Sequence, residues 1–153
     1  SKIVPLTVWA EFANSRTNRL GLPLPKGKLR MFLRDGDDGT LDYIGEDVLK
    51  ETPKDETIRI KLGRTYDVYG ERRQVLRTRD AKNTRESVEI ALTNEKSKAV
   101  TVQVREILDN AKATFEKNPD GFTRQGPTAI EAIVTVLPGE QKTVSYTVST
   151  PNG

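Results

Sequence analysis

The sequence contains no cysteine and no histidine. The missing cysteines exclude disulfides and thiol nucleophiles, and the two absences together exclude zinc sites built from Cys and His. Without histidine, no imidazole can act as a catalytic base or a metal ligand. Long apolar runs are also missing: no stretch exceeds four residues, whereas a membrane-spanning helix needs about 18. We therefore expect a soluble, folded domain with no membrane span and no secretory signal peptide.

Charge of one sign does not dominate either half of the chain. The 153 residues carry 25 basic and 22 acidic side chains, which gives a net charge of +3. Residues 1–76 contain 14 basic and 12 acidic groups, and residues 77–153 contain 11 and 10. Nucleic-acid-binding proteins usually concentrate basic residues in one patch or stripe. The overall charge therefore predicts a mixed, well-solvated surface and does not favour nucleic acid as a partner.

Alternation of apolar and polar residues with a period of two is the strongest pattern in the chain. Such alternation is typical of antiparallel strands that have one face on a core and the other in water. Six segments show it most clearly: Val4–Phe12, Leu29–Leu33, Ile58–Leu62, Val88–Leu92, Val100–Val104 and Val144–Val148. We predict an all-β fold, an antiparallel β-sandwich of about ten strands.

The predicted strands fall into two groups. Residues 1–63 are expected to form an N-terminal β-meander, and residues 64–153 have the size of an immunoglobulin-like β-sandwich. We expect the two parts to pack as one compact unit. Helical patterns are weak, so a short turn at Glu46–Glu51 and a helix at Arg105–Phe115 stay open only as alternatives.

Turn-forming residues separate the predicted strands. Asp35–Gly39 offers two glycines for positive φ angles and is predicted to join two strands as a hairpin. Asn94–Ser97 and Pro138–Gly139 are predicted to connect later strands. Lys117–Pro127 contains two prolines and two glycines, which predicts a loop.

An acidic run surrounds the first predicted hairpin turn. It consists of Asp35, Asp37, Asp38, Asp42, Glu46 and Asp47. Counted from Asp35 as an EF-hand loop, the run has Gly39 where a ligand belongs and Thr40 where the glycine belongs. We therefore predict a solvent-exposed turn, with a weak cation site at 35–47 as the alternative.

A run of positive charge lies between residues 72 and 85. It consists of Arg72, Arg73, Arg77, Arg79, Lys82 and Arg85, with Asp80 as the single acid. In a regular strand, Arg73, Arg77 and Arg79 are expected on one face, where alternate side chains stand about 7 Å apart. Such a stripe would suit phosphate, sulfate or a carboxylate polymer. The alternative is that these arginines pair with acids of a neighbouring strand, such as Glu86 or Glu89.

Trp9 is the single tryptophan, and it falls out of phase with the apolar face of its predicted strand. An exposed tryptophan on a sheet suits sugar stacking or partner docking, because its ring is large and amphipathic. The alternative is that Trp9 packs in a second layer under another part of the protein. We regard Trp9, Arg73, Arg77 and Arg79 as the candidate surface-interaction residues.

Motifs for catalysis or cofactor binding are not recognisable. Gly-x-Gly-x-x-Gly, P-loop and Ser-x-x-Lys patterns do not occur. Carboxylates are abundant, but a glycosidase-type pair depends on their arrangement in space. We predict no catalytic site, no cofactor and no metal, and an enzyme that uses two carboxylates as acid and base stays open as an alternative.

Six short segments follow one another along the chain: Gly21–Arg30, Tyr43–Asp47, Thr52–Glu56, Ile58–Gly63, Asp67–Arg72 and Arg85–Glu89. Their order and spacing resemble the domain of unknown function family 4139, and the resemblance extends from about Val8 to Val148. It implies a mostly β, C-terminal module of larger bacterial proteins, many of which carry an export signal. It therefore implies a periplasmic or secreted location, and it brings no catalytic residues.

These observations favour a non-catalytic module of a larger, exported bacterial protein that serves interaction or architecture. Its partner is expected to be a protein, either another domain of the same parent chain or a component of the cell envelope. The alternative is binding of carbohydrate or of an anionic polymer, through Trp9 or the Arg72–Arg79 stripe.

Overall fold

The computed structural model describes residues 2–34 and 36–152, and it confirms the prediction of an all-β fold with antiparallel sheets. A short 3₁₀ helix, Arg16–Asn18, follows the first strand, and no α-helix occurs in the described ranges. The described ranges contain ten strands: β1 Lys2–Ala13, β2 Gly27–Arg34, β3 Leu41–Leu49, β4 Thr57–Arg79, β5 Asn83–Asn94, β6 Val100–Ile107, β7 Thr114–Lys117, β8 Thr123–Arg124, β9 Ala129–Val136 and β10 Gln141–Pro151.

The chain divides into two compact units. The small unit is Thr7–Thr65, and the large unit combines Ser1–Leu6 with Tyr66–Gly153. The long strands β1 and β4 each contribute residues to both units. The predicted boundary falls after residue 63, whereas the observed boundary falls after residue 65, and the start of β1 belongs to the large unit.

The large unit contains two antiparallel sheets that share one hydrophobic core. One sheet has the strand order β1-β4-β5-β10-β7, and the other has the order β6-β9-β8. Alternate residues of β5, β6, β9 and β10 point into the core, as the period-two pattern predicts. The buried positions of the predicted segments are Val88, Ile90, Leu92, Val102, Val104, Val144, Tyr146 and Val148.

The small unit is built on the hairpin of β2 and β3, which pair as a two-stranded antiparallel sheet. Its core centres on Leu49, Ile58 and Ile60, and partly buried residues of β1 and β2 pack against them. The Asp35–Gly39 segment joins β2 to β3 as predicted, although Asp35 itself lies outside the described residues.

Several local predictions need correction. The alternative helix at Arg105–Phe115 is wrong, because β6 continues to Ile107 and β7 begins at Thr114. Glu46–Glu51 is not a turn, because β3 extends through Leu49. The predicted loop Lys117–Pro127 contains the two-residue strand β8, which pairs with β9.

No helix in the described part of the chain is long and apolar enough to cross a membrane.

Candidate functional site

A β-bulge in β4 separates the predicted arginine stripe onto two faces of the sheet. The residues on either side of Val75 pair with two consecutive residues of β5, so Val75 has no partner there. Paired residues of antiparallel strands share a face, and an extra residue shifts the alternation by one. Arg73 therefore lies on one face, whereas Arg77 and Arg79 lie on the other. The prediction that these three arginines share a face is wrong.

Arg73 forms an ion pair with the neighbouring strand. Its Nη2 lies 2.7 Å from Oε2 of Glu89 on β5. The hydrogen bond and the charge of Glu89 raise the pKa of Arg73 above its ordinary value. Pairing with Glu89 was the alternative to an anion-binding stripe, and it is the arrangement observed for this residue.

Arg72 joins a hydrogen-bonded network on the core side of the sheet. Its Nε donates to Oε2 of Glu106 at 2.8 Å, and the Tyr146 hydroxyl donates to the same oxygen at 3.0 Å. Burial opposes the charge on Arg72, but Glu106 outweighs it and raises the pKa of Arg72. Burial, reinforced by the charge of Glu106, also raises the pKa of Tyr146. Glu106 therefore acts as a shared acceptor that ties β4, β6 and β10 together.

A polar cleft of about 200 Å³ lies beside this network within the large unit. Its charged lining residues are Arg72, Arg77, Glu86 and Asp109. Arg77 approaches Asp109, with Nη2 and Oδ2 3.9 Å apart, and Arg72 Nη2 lies 3.8 Å from Glu86 Oε1. Two guanidinium groups face two carboxylates, so the cleft does not concentrate positive charge. This arrangement gives little support to binding of a polyanion.

Arg79 lines a separate cleft of about 190 Å³ in the large unit. Asp80, Arg85 and Glu116 are also in its wall, and Arg85 Nε lies 2.5 Å from Glu116 Oε2. The hydrogen bond and charge of Glu116 raise the pKa of Arg85. Positive and negative groups are again balanced, as in the first cleft.

Trp9 is on the exposed face of β1 in the small unit, and 44% of its surface is accessible. The guanidinium carbon of Arg59 lies 4.6 Å from the ring centroid. Such a cation–π contact covers one face of the indole. A sugar would therefore have to stack on the opposite face or displace Arg59.

The acidic run forms local hydrogen bonds in its described part. Asp38 Oδ1 accepts from the hydroxyl and the backbone N–H of Thr40, and these two bonds lower the pKa of Asp38. The backbone N–H groups of Lys61 and Val48 likewise lower the pKa of Asp47. No group of three or more acidic side chains within 2–34 and 36–152 is arranged to hold a metal ion.

The outer face of the β2–β3 hairpin carries large apolar side chains that were not among the predicted interaction residues. We define the outer hairpin face by the residues that share it through cross-strand pairing: Lys28 with Val48, Arg30 with Glu46, Phe32 with Tyr43, and Arg34 with Leu41. The Phe32 and Tyr43 rings meet edge to face, with centroids 5.7 Å apart. Arg30 Nε lies 3.3 Å from Glu46 Oε2.

The apolar members of this face are largely accessible to solvent. The exposed fractions are 50% for Phe32, 58% for Leu41, 56% for Tyr43 and 67% for Val48. By contrast, Leu29 and Met31 on the opposite side of β2 pack against the core of the small unit. The outer hairpin face therefore combines an exposed aromatic pair, two aliphatic side chains and an exposed ion pair.

A signal for this face was present in the sequence. Phe32 shares its row of alternate positions with Arg30 and Arg34, so an aromatic residue occupies the row expected to be polar. Its cross-strand neighbour could not be identified in advance. A bulge next to Met31 leaves Ile44 unpaired and brings Tyr43 opposite Phe32.

Comparison of the chain with known protein families, with curated proteins and with solved structures finds no match.

Proposed function

We propose that the chain is a non-catalytic interaction module of a larger, exported bacterial protein, and that its outer hairpin face binds a protein partner. The observation that carries the proposal is the exposed aromatic pair Phe32 and Tyr43, flanked by Leu41. Large accessible apolar patches on soluble proteins often mark interaction sites, and aromatic residues are enriched at such interfaces. The partner is a protein of the same compartment, such as another domain of the parent protein or a component of the cell envelope.

The proposal includes the resemblance to the domain of unknown function family 4139 and an immunoglobulin-like architecture for the large unit. Support for the architecture comes from two antiparallel sheets that enclose one core. The periplasmic or secreted location rests on the resemblance alone. Detection of the parent protein in the periplasm or culture medium supports this location, and confinement to the cytoplasm contradicts it.

A non-catalytic role is supported by the state of the ionisable groups. A carboxylate pair that acts as acid and base needs one member with a raised pKa. Hydrogen bonds lower the pKa of Asp38, Asp47 and Asp80, which is opposite to the shift that a catalytic acid needs. Glu106, beside the first cleft, is held by two donors from its own unit.

Carbohydrate binding through Trp9 is the second candidate, and the accessibility of its ring favours it. Trp9→Ala should abolish retention on a polysaccharide matrix while the stability of the chain changes little. Retention that survives this substitution contradicts the candidate.

Site-specific photo-crosslinking tests the proposal directly. A benzoylphenylalanine residue is placed at Tyr43 in the full chain, which is exported in bacterial cells and irradiated. Tyr66 provides the matched control, because it is also a tyrosine, is 79% exposed and lies outside the hairpin. We expect a discrete covalent adduct from position 43 and none from position 66.

A second variant links the adduct to the aromatic pair. Phe32→Thr removes one ring and keeps a residue that suits a strand, so the adduct from position 43 should disappear. Equal cross-linking from positions 43 and 66, or an adduct that persists in Phe32→Thr, contradicts the proposed binding face.

A further inference from the structure

The outer hairpin face has a regular arrangement of charge across its two strands. The β2 row carries Lys28, Arg30 and Arg34, whereas the β3 row carries Glu46 and no basic residue. In each cross-strand pair of this face, a basic or aromatic residue of β2 lies beside an acidic, aromatic or aliphatic residue of β3. The face is thus basic along one edge and acidic or apolar along the other.

This arrangement makes the face complementary to itself. Suppose that two copies stack face to face with a two-fold axis parallel to the strands. β2 of one copy then covers β3 of the other, and each β2 residue meets the residue of the second copy that corresponds to its own cross-strand partner. Arg30 then meets Glu46 of the second copy, and Phe32 meets Tyr43. Both contacts occur twice, as a closed two-fold interface requires.

We propose that the partner bound by the outer hairpin face is a second copy of this chain, in this two-fold arrangement. The inference rests on the proposed function and specifies its partner. The opposite arrangement, with the axis across the strands, places β2 over β2. Because this axis reverses the order of residues along the strand, Lys28 would face Arg34 of the second copy at both ends of the row, and like-charge contacts oppose association. Arg30 would face Phe32, so the Arg30–Glu46 contacts between copies would not form.

The ion pair at the centre of the face is available to a second copy. The side chains of Arg30 and Glu46 are 65% and 41% exposed. An exposed pair of this kind contributes little to the stability of a single chain. Arg30 has further N–H groups and Glu46 has further lone pairs, so each side chain can contact its counterpart without releasing its partner within the chain.

Sedimentation velocity of the full chain, from about 1 μM to about 1 mM, measures the dimerisation constant. Wild type should dimerise within this range. Arg30→Glu and Glu46→Arg should each weaken dimerisation at least about tenfold, because each creates two like-charge contacts across the interface. An equimolar mixture of the two variants should restore dimers, because both interfacial pairs are then opposite in sign.

The mixture distinguishes the interface from effects within one chain. Each variant keeps its own like-charge pair in the hairpin, so recovery on mixing can only come from contacts between copies. Wild type that stays monomeric throughout the range overturns the inference, as does a mixture that associates no better than the separate variants.

A double variant tests the two-fold contact between copies if either single variant fails to fold. Arg30→Glu combined with Glu46→Arg keeps an ion pair within the hairpin and should form dimers as wild type does. Mixed with wild type, it should form no mixed dimers, because like charges would meet in both interfacial pairs. Mixed dimers at the statistical proportion overturn the inference.

The test of self-association can fail without a failure of the proposed function. A monomeric wild type, together with a position-43 adduct to a different protein, overturns self-association and leaves the binding face in place. Absence of any specific adduct at position 43 contradicts the binding face itself.

Discussion

At the scale of single residues, two fully buried asparagines organise the connections between strands. Asn94 donates to the backbone carbonyls of Lys98, Val136 and Leu137, so it joins two connections of the large unit. Asn14 plays the same part in the small unit, where it donates to carbonyls of Leu22 and Pro53. Buried polar groups persist only when they are hydrogen-bonded, and both side chains satisfy this condition.

Asn14→Ala should lower the free energy of unfolding by about 3 kcal/mol, because its hydrogen bonds to the carbonyls of Leu22 and Pro53 and to the N–H of Gly21 are lost. Asn18→Ala is the matched control. Asn18 is exposed and donates one hydrogen bond, to Ala13, so its loss should cost about 1 kcal/mol or less. Urea denaturation followed by Trp9 fluorescence measures both values. Equal losses would contradict the role assigned to Asn14.

Tyr146 predicts a specific sensitivity to alkaline pH. Burial, and then Glu106, raise its pKa in the folded chain above the ordinary value of 10.0. The stabilisation linked to this shift is complete below about pH 10 and is lost as the pH rises further, because the unfolded chain releases the proton first. The midpoint of urea denaturation should therefore fall less steeply above pH 10 in Tyr146→Phe than in wild type.

The absorbance of the phenolate provides an independent check. The difference between alkaline titrations of wild type and Tyr146→Phe reports this tyrosine alone. Its midpoint should lie above 10.0, and a midpoint at or below this value would contradict the burial and the contact with Glu106.

Residue-scale predictions from the sequence succeeded where alternation decides and failed where tertiary contacts decide. The alternation predicts that Trp9 is out of phase with the apolar face of its strand, and Trp9 is indeed accessible. Asn94 was assigned to a turn, but its full burial depends on carbonyls more than 40 residues away. Short-range patterns contain no information about such partners.

At the scale of elements, the bulges determine which side chains share a face. The alternation in β5 and β10 is uninterrupted, so Val88, Ile90 and Val144 were placed on the core face correctly. In β4 the extra residue is Val75, which has no glycine or proline beside it. Without such a signal, the sequence could not predict the bulge, and the arginine stripe was placed on one face.

Gly45 lies next to the second bulge, in the hairpin of the small unit. A Cβ atom at this position would lie 3.0 Å from the carbonyl oxygen and 3.1 Å from the Cα atom of Leu62. Gly45→Ala should therefore lower the free energy of unfolding by about 1–3 kcal/mol, because backbone atoms have to move. Gly27→Ala in the same hairpin is the control, since a Cβ atom at position 27 would have no heavy atom within 4 Å.

Denaturation followed by Trp9 fluorescence measures both glycine variants, because Trp9 belongs to the same unit. Gly27→Ala should leave stability unchanged or raise it by up to about 1 kcal/mol. If Gly45→Ala proves as well tolerated as Gly27→Ala, the close approach of β3 to Leu62 is contradicted.

At the scale of the whole molecule, composition and alternation were sufficient for the fold class. Apolar residues at every second position give a strand one apolar and one polar face. The apolar face of a sheet can be buried only against a second layer of secondary structure. The order of strands was not predictable, because β5 and β6 follow one another in the chain but belong to different sheets. The immunoglobulin-like assignment and the family resemblance stay proposals.

The exposure of the outer hairpin face could not be predicted from its own strands, because a side chain is exposed only where no other part of the chain covers it. Leu33 shares the side of β2 that carries Leu29 and Met31 in the predicted alternation. Met31 packs against the core of the small unit, whereas Leu33, two residues further along, is exposed. Alternation predicts the direction of a side chain, but it cannot indicate where the core ends.

We propose that the aromatic pair of the outer hairpin face serves binding and is not required for folding. The most direct measurement is the free energy of unfolding of the double variant Phe32→Thr with Tyr43→Thr. It should fall by about 1 kcal/mol or less, the value of an exposed aromatic cross-strand pair. Ile60→Ala, at a site 1% exposed, should cost about 2–5 kcal/mol in the same assay. A loss in the double variant as large as that of Ile60→Ala would show that the pair belongs to the core and would contradict the claim.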